Sequence, residues 1–257
     1  MNNLISVIIP IIEYNELTNR AIRSVLDQSI LPEQLIITVD RFSNESELSY
    51  KNKVNNISNF VFNCCSKLEC KILTVECNVG PGMARRIAQT NISKNAKWIA
   101  FLDSDDFWLP DHLKNFLTWV HNQKIDRSIL YFDCYNSVKM PYKKLKFINL
   151  LISPRLHTPS AIMSNTNILF NGGRHSEDIS YWIELYMNNF DVYCHNIPGS
   201  CGRTDRFATG QSNKIAAMAF RKIQFLLSNY FTQYPIQTLI GACYELMIMP
   251  TRYFRKR

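Results

Sequence analysis

Short apolar runs alternate with amphipathic segments along the first half of the chain. Residues 4–9 and 35–39 are almost continuously apolar, and each run stops at a proline or an aspartate, which is typical of a buried strand. Between them, residues 16–28 carry apolar side chains at helical spacing. A strand, a helix and a strand in short succession predict a right-handed βαβ unit and therefore an α/β fold.

The same alternation continues further along the chain. It predicts strands at residues 71–75, 97–102, 128–134 and 191–197, and helices at residues 47–60, 81–88, 111–122 and 179–186. The polar stretch between residues 40 and 70 contains many Asn and Ser residues, and we interpret it as scaffold.

Three carboxylates follow the strand predicted at residues 97–102. Asp103, Asp105 and Asp106 lie within four positions, at the carboxyl end of a strand, which is where open α/β sheets bind ligands. Like charges this close repel unless a cation lies among them, and hard divalent cations prefer carboxylate oxygens. The pattern indicates a Mg²⁺ or Mn²⁺ site that serves a diphosphate. For the Asp-Ser-Asp motif alone, an acidic turn before a helix is the alternative.

Further polar or turn-forming residues follow other predicted strands. Pro10, Asp40 and the turn at Gly80 each come directly after a strand, so all of them are expected at one edge of one sheet. In the turn, free backbone N–H groups together with Arg85 and Arg86 would suit an anion. A plain helix start with arginines facing solvent is the alternative.

Taken together, these segments resemble glycosyltransferase family 2, the nucleotide-sugar-dependent transferases. The resemblance covers about the first 125 residues and depends on Ser6-Val7-Ile8-Ile9-Pro10, Ala21-Ile22-Arg23-Ser24-Val25-Leu26-Asp27-Gln28-Ser29, Gly80-Pro81-Gly82-Met83-Ala84-Arg85 and Phe101-Leu102-Asp103-Ser104-Asp105-Asp106. It implies an α/β GT-A (Rossmann-like) fold, with a mostly parallel sheet flanked by helices and a C-terminal helical appendage.

The family pattern also implies roles for individual residues. Asp105 would bind Mn²⁺ or Mg²⁺ directly, Asp103 would contact the ribose or a metal-bound water, and Asp106 would support them. The residues that would contact the donor are Pro10, Ile12, Glu13, Asp40, Arg85, Asp103, Ser104 and Arg203, with Arg85 near the diphosphate and Asp40 near the base.

Two departures from the family pattern lie in the region of the base. Ile12 and Glu13 stand where the family usually has Tyr-Asn, and Arg41-Phe42 replaces the usual Asp-Gly after the first aspartate. Tyr14 is a candidate to replace the missing aromatic ring. A UDP-sugar remains the expected donor.

A second acidic pair, Glu177-Asp178, precedes a predicted helix. Acids in a first helical turn complement the helix dipole, and Ser176 is a suitable N-cap, so a structural explanation exists. The family resemblance implies instead that Asp178 is the general base, with Glu177 beside it. Such a base would remove the acceptor's proton as its oxygen attacks the anomeric carbon, and a single displacement inverts the configuration.

The charge of the chain is concentrated near its C-terminus. The net charge is +8, and residues 214–257 contain seven Lys and Arg residues against one Glu. We expect a GT-A catalytic domain at residues 1–210, with a nucleotide-sugar half at 1–125 and an acceptor half at 126–210, followed by a helical, basic and aromatic tail at 211–257. The basic and aromatic end of this tail indicates attachment to an anionic membrane surface, and core packing or a dimer interface is the alternative for its aromatic and aliphatic stripe. No nucleic-acid motif supports nucleic acid as a partner.

The remaining composition bears on location. No run reaches the roughly 18 apolar residues of a spanning helix, and the eight cysteines include no Cys-x-x-Cys pair. Without a signal peptide before the first strand, we expect a cytoplasmic protein that binds peripherally to the inner face of the membrane.

The sequence therefore predicts a metal-dependent, inverting transferase that moves a hexose or N-acetylhexosamine to a saccharide or lipid-linked saccharide. Its expected pathways are the synthesis of lipopolysaccharide, O-antigen or capsule. Two alternatives remain open: a Mg²⁺-dependent phosphohydrolase or nucleotidyltransferase, and a non-catalytic binding protein with the same fold.

Overall fold

The computed structural model describes residues 4–64, 68–125, 127–136, 143–152, 156–173, 176–202 and 215–254. Its strands are β1 Ile5–Ile11, β2 Gln34–Asp40, β3 Glu69–Val75, β4 Trp98–Phe101, β5 Phe107–Trp108, β6 Ile129–Tyr135, β7 Lys143–Lys144, β8 Ala161–Ser164 and β9 Asp191–Cys201. Its α-helices are α1 Glu16–Leu26, α2 Glu47–Cys64, α3 Pro81–Gln89, α4 His112–Gln123, α5 Phe147–Ile152, α6 Glu177–Met187, α7 Ile215–Tyr230 and α8 Pro235–Phe254.

All of these strands belong to one sheet in the order β3-β2-β1-β4-β8-β6-β9-β5, with β7 paired to β9. The first four strands of this order are parallel, as the βαβ pattern predicts. Beyond β4 the sheet is mixed, because β8 runs antiparallel to both of its neighbours while β6 and β9 are parallel. The expectation of a mostly parallel sheet therefore holds only for the half formed by β3, β2, β1 and β4. A short apolar strand such as β8 does not reveal its direction in the sequence, because that direction depends on the long connections before and after it.

The central strands β1, β2 and β4 are buried on both faces of the sheet, which explains why they are almost continuously apolar. Successive side chains of a strand point to opposite faces. In β1, Val7 and Ile9 accordingly join one apolar cluster, and Ile8 joins the other together with Phe101 of β4. When helices cover both faces of parallel strands, the carboxyl ends of the strands remain open to ligands. The polar residues identified in the sequence lie at these strand ends.

The last two helices, α7 and α8, pack against each other and α8 also packs on α5. The rings of Tyr234, just before α8, and Phe147 of α5 are 4.5 Å apart. Within the described residues, the helices all fall short of the length and apolar character that crossing a bilayer would need.

Candidate donor and acceptor site

The ends of β1 and β2 are joined by a buried lysine. Lys53 of α2 donates to the carbonyl oxygens of Ile12 at 2.8 Å and Asp40 at 2.9 Å. Its ammonium also lies 2.7 Å from a carboxylate oxygen of Glu45. Because both members of this ion pair are largely buried, the pair holds the two strand ends in a definite arrangement.

Asp40 links the end of β2 to the start of α3. Its carboxylate accepts hydrogen bonds from the backbone N–H groups of Val79 at 3.1 Å and Gly80 at 3.0 Å. Gly80 has φ 82°, a left-handed conformation that glycine adopts without strain. Asp40 itself is thus the anion that occupies the N–H groups of Val79 and Gly80, so these two groups are not open to another anion. Contact between Asp40 and a nucleotide base stays a prediction.

Arg85 is the central cation of the site. Its guanidinium lies 2.6 Å from a carboxylate oxygen of Asp103 and 3.3 Å from one of Glu177. Burial alone would lower the pKa of Arg85, but the two carboxylates raise it, and the net shift is upward. Arg86, by contrast, donates to the carbonyl oxygen of Phe170 at 3.2 Å. The structure therefore brings the acidic turn after β4 and the acidic pair of α6 together around one arginine.

The acidic pair at the start of α6 is partly buried. Burial raises the pKa of Asp178, while the N–H group of Ile179, which donates to it at 2.8 Å, and the charge of Arg85 oppose this shift. Burial and the charge of Asp178 likewise raise the pKa of Glu177. A carboxylate whose pKa is raised toward neutrality is a better proton acceptor, which suits a general base.

Ser176 does not cap α6 in the way its type predicted. It has φ 55°, and its side chain makes no capping hydrogen bond. An N-cap residue normally has an extended backbone, so the left-handed conformation of Ser176 departs from the usual capping geometry. The structural explanation, in which Ser176 caps the helix and Glu177 and Asp178 complement its dipole, therefore lacks the expected N-cap bond.

Close packing keeps α6 next to the donor side. A Cβ atom built on Gly82 would lie 2.6 Å from the carbonyl oxygen of Gly173 and 2.8 Å from that of Asn171. It would also lie 3.1 Å from Cβ of Glu177. A glycine is therefore required at this position for α3 to approach the segment that carries the acidic pair.

The three aspartates after β4 have different surroundings. Asp103 is partly exposed beside Arg85, Asp105 is exposed, and Asp106 is buried and accepts a hydrogen bond from the Tyr135 hydroxyl at 2.9 Å. Burial, and then the charges of Asp103 and Asp105, raise the pKa of Asp106 to about 8. Ser104 lies between the first two acids and is partly buried.

This arrangement fits a divalent cation held together with a phosphate group. Among the described residues, no group of three or more His, Cys, Asp and Glu side chains is placed to hold a metal ion by itself. Mg²⁺ is usually held by only one or two carboxylates, with substrate phosphates and water in the remaining positions. The accessible carboxylates of Asp103 and Asp105 supply such a set.

A cleft of about 500 Å³ lies beside the ends of β1 and β2. Ile12, Glu13, Tyr14 and Phe42 line it together with Asn52 and Asn56 of α2. The two departures in the family pattern thus meet in one cleft, and Tyr14 and the half-exposed Phe42 bring aromatic rings to it. Pro10 lies within β1, one residue before the strand ends.

Arg41 does not point into this cleft. Its guanidinium donates twice to the carbonyl oxygen of Glu45, at 3.1 and 2.9 Å. It lines a separate cleft of about 310 Å³ with Glu47 and Glu76. Arg41, which replaces the family's usual aspartate, is therefore not among the residues that line the 500 Å³ cleft.

The structure adds residues that the sequence analysis missed. Lys53 and Glu45 lie in the stretch interpreted as scaffold, although Lys53 stands on the buried face of α2 between Tyr50 and Ile57, where a charged residue is itself a signal. Tyr135 at the end of β6 had no local signal. Arg203, which the family resemblance places near the donor, lies outside the described residues.

Sequence comparison shows the family of this chain. The profile described as Glycosyl transferase family 2 matches residues 6–176. The Succinoglycan biosynthesis protein ExoW of Rhizobium meliloti (strain 1021) is 53% identical over 38 residues, which cover 15% of this chain and 12% of ExoW. The Minor teichoic acid biosynthesis protein GgaA of Bacillus subtilis (strain 168) is 35% identical over 119 residues, which cover 44% of this chain and 24% of GgaA. The matched segments thus span a quarter or less of these relatives.

Solved structures show the same fold at low sequence identity. S. aureus TarS 1-349 in complex with UDP-GlcNAc has a TM-score of 0.59 and 16% identity, over 87% of this chain and 66% of that one. The mannosyltransferase PcManGT from Pyrobaculum calidifontis, in complex with GDP-Man and Mn²⁺, has a TM-score of 0.65 and 12% identity, over 97% and 72%. The expected GT-A fold is confirmed. From its sequence profile and its fold, this chain belongs to glycosyl transferase family 2.

Proposed function

We propose that this protein is an inverting glycosyltransferase that moves a hexose or N-acetylhexosamine from a UDP-sugar to a saccharide acceptor. The observation that carries the proposal is the position of Arg85 between Asp103 of the donor motif and Glu177 of the acidic pair. The Arg85 guanidinium thereby fixes the distance between the diphosphate site of the donor and the site of the attacking acceptor hydroxyl.

Asp178 acts as the general base. Its carboxylate takes the proton of the acceptor hydroxyl as the oxygen forms a bond to the anomeric carbon and the bond to the diphosphate breaks. The nucleoside diphosphate leaves from the opposite face, so an α-linked donor gives a β-linked product. Partial burial at the start of α6 raises the pKa of Asp178 and strengthens it as a base.

On the donor side, Asp105 and Asp103 would hold Mn²⁺ or Mg²⁺, with Asp106 as support. The ion, when bound, supplies positive charge that stabilises the leaving diphosphate. Arg85 adds a second positive charge close to Asp103. The nucleotide base of the donor lies in the cleft lined by Tyr14 and Phe42, where an aromatic ring offers a stacking surface.

The relatives support a proposal for the acceptor class. The names of ExoW and GgaA refer to the biosynthesis of succinoglycan and of a minor teichoic acid. We infer a role in the assembly of a surface polysaccharide, such as lipopolysaccharide, O-antigen or capsule, on a saccharide or lipid-linked saccharide. The place of this reaction is the cytoplasmic side of the membrane.

Nucleotide binding tests the proposal directly. UDP, GDP, dTDP and CDP are titrated with and without Mn²⁺ into the wild type, Asp105→Asn and Asp111→Asn. Asp111 is a matched control, since it is an exposed acid at the start of α4 that bonds to Ser29. We expect Mn²⁺-dependent binding of UDP that Asp105→Asn weakens at least about tenfold and Asp111→Asn leaves unchanged.

Other outcomes would contradict the proposal. If a folded wild type bound none of the nucleotides, the non-catalytic alternative would replace it. If the protein released phosphate from a generic phosphomonoester, and no UDP from UDP-sugars in the presence of acceptor, the phosphohydrolase alternative would replace it.

A further inference from the structure

Helix α8 has an inverted distribution of polar and apolar side chains. Its buried positions are occupied by Thr238, Gly241, Ala242 and Glu245. Its exposed positions are occupied by large apolar side chains, namely Ile236, Leu239, Ile240, Leu246 and Met247. A helix on the surface of a globular protein normally shows the opposite arrangement.

The buried side of α8 is stabilised by specific contacts. Glu245 is almost fully buried and forms an ion pair with Lys222 of α7. A Cβ atom on Gly241 would lie 3.1 Å from Cβ of Leu151 and 3.3 Å from Cδ1 of Leu226, so the small residue allows close approach to α5 and α7. Because the buried pair of Glu245 and Lys222 links α8 to α7, it determines which side of α8 faces inward.

The exposed apolar side chains form one continuous stripe. At 3.6 residues per turn, positions 236, 239, 240, 246 and 247 fall within about a third of the helix circumference. Ile236 and Met247 are 70% and 67% exposed. We call these five side chains the outer face of α8. A contiguous exposed apolar surface of this kind usually marks an interaction site.

The composition of this part of the sequence favours an anionic partner. From residue 206 onward the chain contains eight Lys and Arg residues and a single acid, Glu245, which is already paired with Lys222. The sequence that follows the outer face, residues 252–257, contains four of these cations and two aromatic residues. Two copies of the chain would bring together two segments of the same net charge, whereas an anionic lipid surface supplies the opposite charge.

We propose that the outer face of α8 docks into the interfacial region of an anionic lipid bilayer. The apolar side chains enter the boundary between headgroups and acyl chains, and the net positive charge of this part of the sequence adds an electrostatic attraction to anionic lipids. The helix lies in the plane of the surface. Such docking would hold the catalytic half close to a membrane-bound acceptor.

Vesicle flotation with the full chain tests the proposal. The vesicles contain phosphatidylcholine alone or phosphatidylcholine mixed with phosphatidylglycerol. The test variant is the triple substitution Ile236→Gln, Ile240→Gln and Met247→Gln. The matched control is Phe62→Gln, because this side chain of α2 is also highly exposed and apolar and lies outside the cleft assigned to the nucleotide.

We expect the wild type and the α2 control to float with anionic vesicles, with loss of binding at high salt. The triple variant should partition at least about tenfold less. Circular dichroism and UDP binding verify that the variants remain folded, and vesicle binding is measured without reference to sugar transfer. Two results would overturn the proposal: equal flotation of the wild type and the triple variant, or no flotation of the wild type. A wild-type dimer that the triple variant dissociates, without vesicle binding, would assign the face to a second copy.

Discussion

The guanidinium of Arg85 lies 2.6 Å from the carboxylate of Asp103, although the two residues come from different elements on either side of β4. The same guanidinium reaches Glu177 of α6, which is far away in the sequence. Since a planar guanidinium can bond two acids at once and a lysine ammonium cannot reproduce this geometry, Arg85 is the residue on which both halves of the site depend.

Arg85→Lys should therefore separate the effect of the positive charge at this position from the effect of the guanidinium's bonding geometry. The substitution keeps the positive charge but loses one of the two carboxylate contacts, so we expect UDP binding to weaken about tenfold and turnover to fall further. Isothermal titration and steady-state kinetics measure the two effects. Arg23→Lys on the exposed side of α1 is the control and should change neither. Unchanged kinetics in Arg85→Lys would show that the bridge has no functional role.

Asp178→Asn should abolish turnover while UDP still binds. Removing a general base typically costs about 10²- to 10⁴-fold in rate, whereas the donor side of the site would be intact. The rate of UDP-sugar-dependent transfer and the dissociation constant of UDP provide the two readouts. Asp191→Asn, at a surface ion pair with Lys144, is the control. Loss of UDP binding in Asp178→Asn would instead indicate a structural role.

The same residue predicts a pH dependence. A base must be deprotonated to act, so the rate should fall as the pH drops through the pKa of Asp178. Because burial raises this pKa, the acidic limb of the rate profile should lie above the range of an ordinary aspartate. The measurement is the turnover rate across pH at saturating donor and acceptor. A profile that stays flat down to the ordinary range would contradict the assignment.

Gly82→Ala should disturb the contact between α3 and the acidic pair. The new Cβ would clash with two backbone carbonyl oxygens, which cannot move as a flexible side chain can. We expect a loss of about 1–3 kcal/mol in the free energy of unfolding, together with lower activity. Chemical denaturation measures the first effect. Gly241→Ala is the comparison, because its nearest neighbours are side-chain atoms at 3.1 Å and beyond, and it should cost less.

Lys53→Met should destabilise the ends of β1 and β2. It would leave Glu45 buried without its cation and remove the donor from two backbone carbonyl groups. Loss of one partner of a buried pair costs about 3–5 kcal/mol. The double variant Lys53→Met with Glu45→Gln should recover part of this loss. A double-mutant cycle by denaturation measures the coupling, and strictly additive effects would rule it out.

Much of the donor half could be predicted from local patterns. The apolar runs of β1 and β2 and the helical spacing of α1 report buried surfaces, and short parallel connections leave little freedom of topology. Asp103 and Asp105 were identifiable because they end a strand. Tyr135 was not, because its contact with Asp106 joins positions that are distant in the sequence.

The sequence by itself determined the α/β class, the family and the edge of the sheet that carries the polar residues, because each of these depends on periodicity and on short motifs. Only the tertiary structure decided the antiparallel insertion of β8, the filling of the Gly80 turn by Asp40 and the bridge from Arg85 to Glu177. It also decided which side of α8 faces outward, since the buried pair of Lys222 and Glu245 outweighs the apolar stripe in orienting that helix. These features depend on long connections and on buried charges, whose partners no local pattern specifies.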